Sequence, residues 1–177
     1  VFGAVYALAP CCLTGGTEEL SPVQERAWKR VSKLTSREEL PQARLSAPED
    51  FFINFDLASS AAFSPNPERP TLFADYLFEE RAGELVKNQA AFAKWQEKAP
   101  LHLLDTCREN LLSLRGIYLD FGQYESPFIR TGATLFSKAL ADGAIPHTLE
   151  IYAGGDHVNK VKERLERRVF PFFSETL

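Results

Sequence analysis

Residues 147–177 read HTLEIYAGGDHVNKVKERLERRVFPFFSETL, and the class of fold turns on this stretch. Thr148 to Ala153 predicts a strand, and Gly154 and Gly155 predict a turn. An amphipathic helix is expected next. Val158, Val161, Leu165, Val169 and Phe172 recur at helical spacing, and Lys160, Lys162, Glu163, Arg164, Glu166 and Arg167 fill the other faces. His157 falls between strand and helix, where backbone on both sides holds it while its ring stays reachable. That is where a catalytic base belongs; the plainer reading is an ordinary surface histidine. The run from Lys160 to Arg168 reads as a solvated helix face with pairs such as Lys162–Glu166 and Glu163–Arg167.

Upstream, GIYLDFGQYESPF at 116–128 has a related form. Gly116 to Phe121 predicts a strand, and Gly122 breaks it into a loop that carries Glu125 and ends at Pro127. A helix with a stripe of Phe128, Leu135, Ala139 and Leu140 should follow and stop at Gly143. Strand, acidic loop, helix, strand, Gly-Gly-Asp-His, helix is the rhythm of an α/β protein. Its parallel sheet would carry ligand groups at the carboxyl ends of the strands.

The start of the chain adds a third strand. Val1 to Ala9 is almost continuously apolar, which predicts a central parallel strand buried on both faces. If it is the first strand present, one of its edges is bare, and a complementary N-terminal segment or a second copy of the chain could fill it. Cys11 and Cys12 follow at its carboxyl end. With Cys107 they suggest no disulfide framework, and no spacing of Cys or His suggests a metal site. A cysteine nucleophile partnered by His157 is one reading, and small residues on a pocket floor the plainer one.

Between these parts the chain reads as helical. Leu20–Leu34 has Ser21 as N-cap, Pro22 at the first position, and Val23, Ala27, Trp28, Val31 and Leu34 on one face. A second helix should run from Pro48 through Phe51, Phe52, Phe55 and Leu57 to about Ala62. Its aromatic residues, Phe52 among them, read either as core or as the wall of a ligand pocket. SPNPERP at 64–70 reads as a stiff connection. A long helix is expected over 79–98 and a shorter one over 101–112.

Composition sets bounds. The chain has 177 residues, 45% hydrophobic and 25% charged, which suits one globular domain with a real core. A net charge of −4 and a pI near 5.5 argue against nucleic acid as a partner. No apolar run reaches the roughly 20 residues of a membrane span. The first ten residues lack the basic flank of a signal peptide, so a cytoplasmic setting is favoured over a secreted one, although the residues do not fix the compartment.

Taken together, VFGAVYALAPCCL at 1–13, AAFSPNPERP at 61–70, Leu119 to Phe128 and Tyr152 to Phe173 resemble the C-terminal half of an α/β-hydrolase serine esterase. The likeness is to the group containing S-formylglutathione hydrolase, feruloyl esterases and the antigen 85 acyltransferases. In such enzymes the triad runs serine, acid, histidine. The resemblance implies His157 as base and Glu125 as acid, where the family more often carries Asp. Asp120 is the rival acid, and Asp156 is expected to cap or bind a backbone amide. Tyr124 and Asn159 would flank a small ester substrate, and Cys11, Cys12 and Phe52 would line its pocket. No cofactor is implied.

One departure stands out, because no Gly-x-Ser-x-Gly occurs in the chain. In the resembled family that motif precedes the segment matching residues 1–10, and the chain also contains no methionine. The expectation is therefore an esterase whose nucleophile-bearing half lies elsewhere. Residues 1–19 would form a core strand and loop, 20–112 a helical cap, and 113–177 the core with the acid and histidine loops. An acyltransferase of the same fold, or a non-catalytic half-domain associating through a bare sheet edge, remains open.

Overall fold

A computed structural model of the protein describes residues 2–15, 20–36, 38–39, 48–69 and 72–177. They fall into two units, one made of residues 1–15 with 99–177 and the other of 16–98. The expected boundary at 112/113 thus differs from the observed one at 98/99.

The first unit is mixed α/β with a three-stranded parallel sheet and flanking helices. Its strands β1 (Ala4–Leu8), β4 (Gly116–Gly122) and β5 (Thr148–Tyr152) lie in the order β1-β4-β5. Register pairs Tyr6 with Tyr118, Asp120 with Glu150 and Gly122 with Tyr152. Because alternate residues face opposite sides, the sheet has two different faces. On one, Ile117, Leu119 and Phe121 join Leu104 of α4 (Pro100–Leu112) and Ile129, Ala133, Phe136 and Leu140 of α5 (Pro127–Asp142) in an apolar core. Tyr6, Tyr118, Asp120, Glu150 and Tyr152 occupy the other.

That second face carries the last helix. It begins as α6 (Val161–Arg164), passes through a π-helical turn (Leu165–Val169) and ends as α7 (Phe170–Thr176). Pro171 has no N–H for the preceding turn, and the wider π turn accommodates that loss. Phe172 sits edge-on to the stacked rings of Tyr6 and Tyr118, at 5.5 and 5.7 Å between centroids. A side chain at Gly116 would collide with Phe172 and Thr176, so glycine lets the helix approach the strand.

Three expectations are corrected here. The first strand is not central: within the described sheet β4 is the middle strand and β1 an edge, with Val5 exposed. In α5 the buried stripe is Ile129, Gly132, Ala133, Phe136 and Leu140, and Leu135 faces solvent. The last helix starts at Val161, not at Val158, which is 71% exposed. Asp156 causes the delay by holding the amides of Val158 and Asn159 in a turn of their own.

The second unit contains α1 (Pro22–Val31), α2 (Pro48–Phe63), the hairpin strands β2 (Phe78–Arg81) and β3 (Glu84–Lys87), and α3 (Gln89–Glu97). The start of α1 is a reciprocal capping box between Ser21 and Gln24. Its Ala27, Trp28 and Val31 pack with Ile53, Tyr76, Phe78, Phe92 and Trp95.

The helix expected over 79–98 is broken by that hairpin. Ala82 and Gly83 both take positive φ, 53° and 88°, which is the two-residue turn that matches strand twist. In α2 only some aromatic residues meet the core: Phe52 and Phe63 are half-buried against it, Ile53, Asp56 and Ser60 are buried, and Phe51 is 58% exposed. Asp50, buried and paired with Arg30 at 2.8 Å, turns this mixed stripe inward. Residues 64–69 are more than a connection. The Ser64 hydroxyl donates to the Asp75 carbonyl and accepts from the Trp95 indole, and the Asn66 amide donates to the Phe73 carbonyl. Pro70 lies outside the described residues.

Candidate functional site

Two loops leave the carboxyl ends of β4 and β5 side by side. The amide of Gln123 donates to the Tyr152 carbonyl at 2.9 Å, and that of Tyr124 to the Gly155 carbonyl at 2.7 Å. The Gln123 side chain accepts from the Gly154 amide at 3.3 Å. Glycine makes this contact possible. A Cβ at Gly122 would stand 2.3 Å from the backbone of Gly155, and one at Gly155 would stand 2.1 Å from the Tyr152 ring. The acid and histidine loops therefore abut through backbone that tolerates no side chain at either position.

These loops bring Glu125 and His157 together. His157 Nδ1 lies 2.9 Å from Glu125 Oε2, with the carboxylate side chain 2% exposed and the imidazole 59% exposed. The other carboxylate oxygen, Oε1, accepts the Ser126 amide at 2.7 Å. Ser126 in turn caps α5 through its side chain. A carboxylate only accepts, so Nδ1 carries the hydrogen. In a neutral ring Nε2 is then the nitrogen with the lone pair, the one through which an imidazole can take a proton.

The histidine loop is held by its own polar residues. Asp156 Oδ1 accepts from the amides of Val158 and Asn159 at 2.9 and 2.8 Å, and these donors hold its carboxyl below the usual range. Asn159 accepts from the Asp156 amide and donates to the Gly154 carbonyl, while Lys160 Nζ donates to the Ala153 carbonyl. His157 is thus fixed between glycines and an Asp–Asn turn.

Asp120, the rival acid, is engaged on the far face of the sheet from the apolar core. It is fully buried and accepts Arg164 Nε at 2.8 Å, a further close bond from Arg164 Nη2, and the Tyr6 hydroxyl at 2.5 Å. Arg164 also forks onto Glu150, with Nη1–Oε1 at 3.0 Å and Nη2–Oε2 at 2.7 Å. Its guanidinium lies over the Tyr152 ring at 4.5 Å. Burial first, and then the Asp120 carboxylate, raise the Tyr6 phenol well above its ordinary range and keep it a donor. This cluster ties α6 to all three strands.

Arg164 is the residue the sequence reading missed. Among its charged neighbours it reads as part of a solvated face, yet it is 7% exposed. The i,i+4 pairs Lys162–Glu166 and Glu163–Arg167 do lie at the surface, at 3.9 and 3.6 Å. The alternation of Tyr118 and Asp120 with Ile117, Leu119 and Phe121 was the available signal, since it implies a second, polar sheet face in need of a cation.

Of the remaining candidates, Tyr124 and Asn159 belong to the acid and histidine loops, Cys11 and Cys12 follow β1 at the same end of the sheet, and Phe52 lies in the other unit. Cys11 is exposed and Cys12 half-buried, with their sulfurs 3.4 Å apart and no disulfide between them. Tyr124 is 68% exposed, and Asn159 is part of the histidine turn. Phe52 belongs to the second unit, where it packs edge-on to Phe51 at 5.3 Å. Neither a protein-family model nor a curated protein matches the chain, which leaves the geometry of these residues as the ground for a function.

Proposed function

We propose that His157 and Glu125 are the base and the acid of a Ser-His-acid site that hydrolyses carboxylic esters, in a chain forming the C-terminal part of an α/β-hydrolase fold. One observation carries this reading: the 2.9 Å contact between a buried carboxylate and the Nδ1 of an exposed imidazole, at the carboxyl ends of adjacent parallel strands. The order acid loop, then histidine loop, supports it. Glu125 sets the tautomer and stabilises the imidazolium that forms during turnover. Nε2 takes the hydroxyl proton as the serine attacks the ester carbonyl carbon, then returns it to the departing alkoxide. Water repeats the cycle on the acyl-enzyme; an alcohol in its place would make the same site an acyltransferase.

The chain has no Gly-x-Ser-x-Gly, so in this reading the serine comes from another segment. The test is p-nitrophenyl acetate hydrolysis by the protein as isolated from its source. His157→Ala should abolish turnover, and Glu125→Gln should lower kcat by about 10⁴-fold with little change in KM, because the amide supports the wrong tautomer. Wild-type rates in His157→Ala would remove the proposal.

The outer edge of β1 supports a second reading. Among the described residues β1 pairs only with β4, and Val5 and Phe2 are exposed, at 40% and 88%. An open strand edge of this kind can pair with another strand. As a half-domain the chain would dimerise or capture its complement through that edge. Val5→Lys should then abolish the association on size-exclusion chromatography.

A further inference from the structure

The vicinal cysteines are absorbed by neither reading. Cys11 and Cys12 follow β1 at the same end of the sheet as the acid and histidine loops. Ala9 and Cys12 both take left-handed backbone, with φ of 46° and 60°. The chain thus turns sharply on either side of Cys11, and the two side chains come together instead of diverging as strand neighbours do. The Cys12 thiol donates to the Cys11 sulfur across 3.4 Å. That bond above all, with a smaller contribution from a backbone hydrogen bond, pulls the Cys11 thiol down to about 6 against the effect of burial. The bond favours one thiolate beside one thiol, and Cys11 faces solvent.

The separation suits one kind of chemistry. A disulfide needs sulfurs at about 2.05 Å and Cα atoms usually 4.4–6.8 Å apart, whereas neighbours across a trans peptide stand about 3.8 Å apart. A soft centre bonded to each thiolate at about 2.3 Å spans the observed 3.4 Å with an angle of roughly 95° at that centre. This is close to the right angle of a pyramidal trivalent atom and well short of a tetrahedral one. No third His, Cys, Asp or Glu completes a metal cluster among the described residues, so the ligand must bring its own remaining substituent.

We infer that Cys11 and Cys12 form a chelating dithiol site for a trivalent, thiophilic centre of the organoarsenical class, R–As(OH)₂, at the end of the sheet that carries His157. In the reaction two As–S bonds form and two As–OH bonds break. Each hydroxide leaves as water, one with the Cys12 thiol proton and the other with a proton from solvent. No electrons are exchanged. The inference stands whether or not the protein is an esterase.

The test uses phenylarsine oxide with the full protein, read by intact mass and by counting reactive thiols. One arsenical should bind per chain and remove two thiols, survive excess monothiol, and leave on addition of 1,2-ethanedithiol. Cys11→Ser and Cys12→Ser should each weaken binding by about a hundredfold, because either alone loses the second, intramolecular bond. Cys107→Ser should bind as the wild type does. If either Cys11 or Cys12 variant fails to fold, as judged by circular dichroism, digestion of the wild-type adduct decides, with the arsenical expected on the peptide containing both residues. Undiminished binding in Cys11→Ser, or an adduct mapped to Cys107, would overturn the site.

Discussion

The two units treat buried carboxylates differently. In the first, Asp120 is gripped through Oδ2 by Arg164 and Tyr6, although its Oδ1 has no partner among the described residues, and Glu125 is shared between His157 and a backbone amide. In the second, Asp50 has Arg30, but Asp56 is buried with no hydrogen-bond partner for its Oδ2 among the described residues. Burial pushes the Asp56 carboxyl up to about 8. Charges in the first unit tie loops and a helix to the sheet, whereas the second keeps Asp56 neutral at the cost of a proton. A buried acid is thus a fastening where partners converge on it and a liability where they do not.

The largest effect expected from breaking this contrast is at Arg164. Arg164→Ala leaves Asp120 buried and uncompensated, and should cost about 3–5 kcal/mol in denaturant unfolding. The pH profile should change with it. Glu150 is held down to about 2, chiefly by its bonds from Arg164, so it contributes stability above its unfolded value near 4.5 that is lost as pH falls toward 2. That acid limb should shrink in the variant, where only Tyr118 and Arg168 still hold Glu150.

Asp56→Asn should act in the opposite sense and raise stability at pH 7.5 by up to about 5 kcal/mol. The folded carboxyl binds its proton more tightly than the unfolded one, whose value is near 3.8, so the wild type loses stability as pH rises from about 4 to about 8. The variant should be flat over that window. A wild type already flat there would sink the contrast between the units.

Gly122→Ala should cost about 2–3 kcal/mol and lower ester turnover, because the added methyl meets the Gly155 backbone and parts the acid loop from the histidine loop. At the small end, Lys162→Ala removes an exposed pair and should change stability by under about 0.5 kcal/mol.

Much of the first unit could be read from the chain because its signals are local. Strand alternation around Leu119, the glycines at 122, 154 and 155, and the Ser126-Pro127 helix start all act within a few residues. The proximity of Glu125 and His157 needed more, namely the resemblance that matched loop to loop. The role of Arg164 was hidden because its partners lie on three strands far away in sequence, and a basic residue among charges looks solvated until the opposite sheet face is known. In the second unit the Ala82-Gly83 turn was masked by a helical charge pattern. Of the neighbouring phenylalanines of α2, Phe52 packs against the core that Ile53 enters, while Phe51 faces solvent.

The most direct test of the Ser-His-acid reading is labelling with a fluorophosphonate probe, applied to the protein from its source and to its His157→Ala variant and followed by intact mass. The account predicts one label on a serine outside residues 1–177, formed as the P–F bond breaks and strongly reduced in the variant. No label on any species, or equal labelling with and without His157, would contradict it.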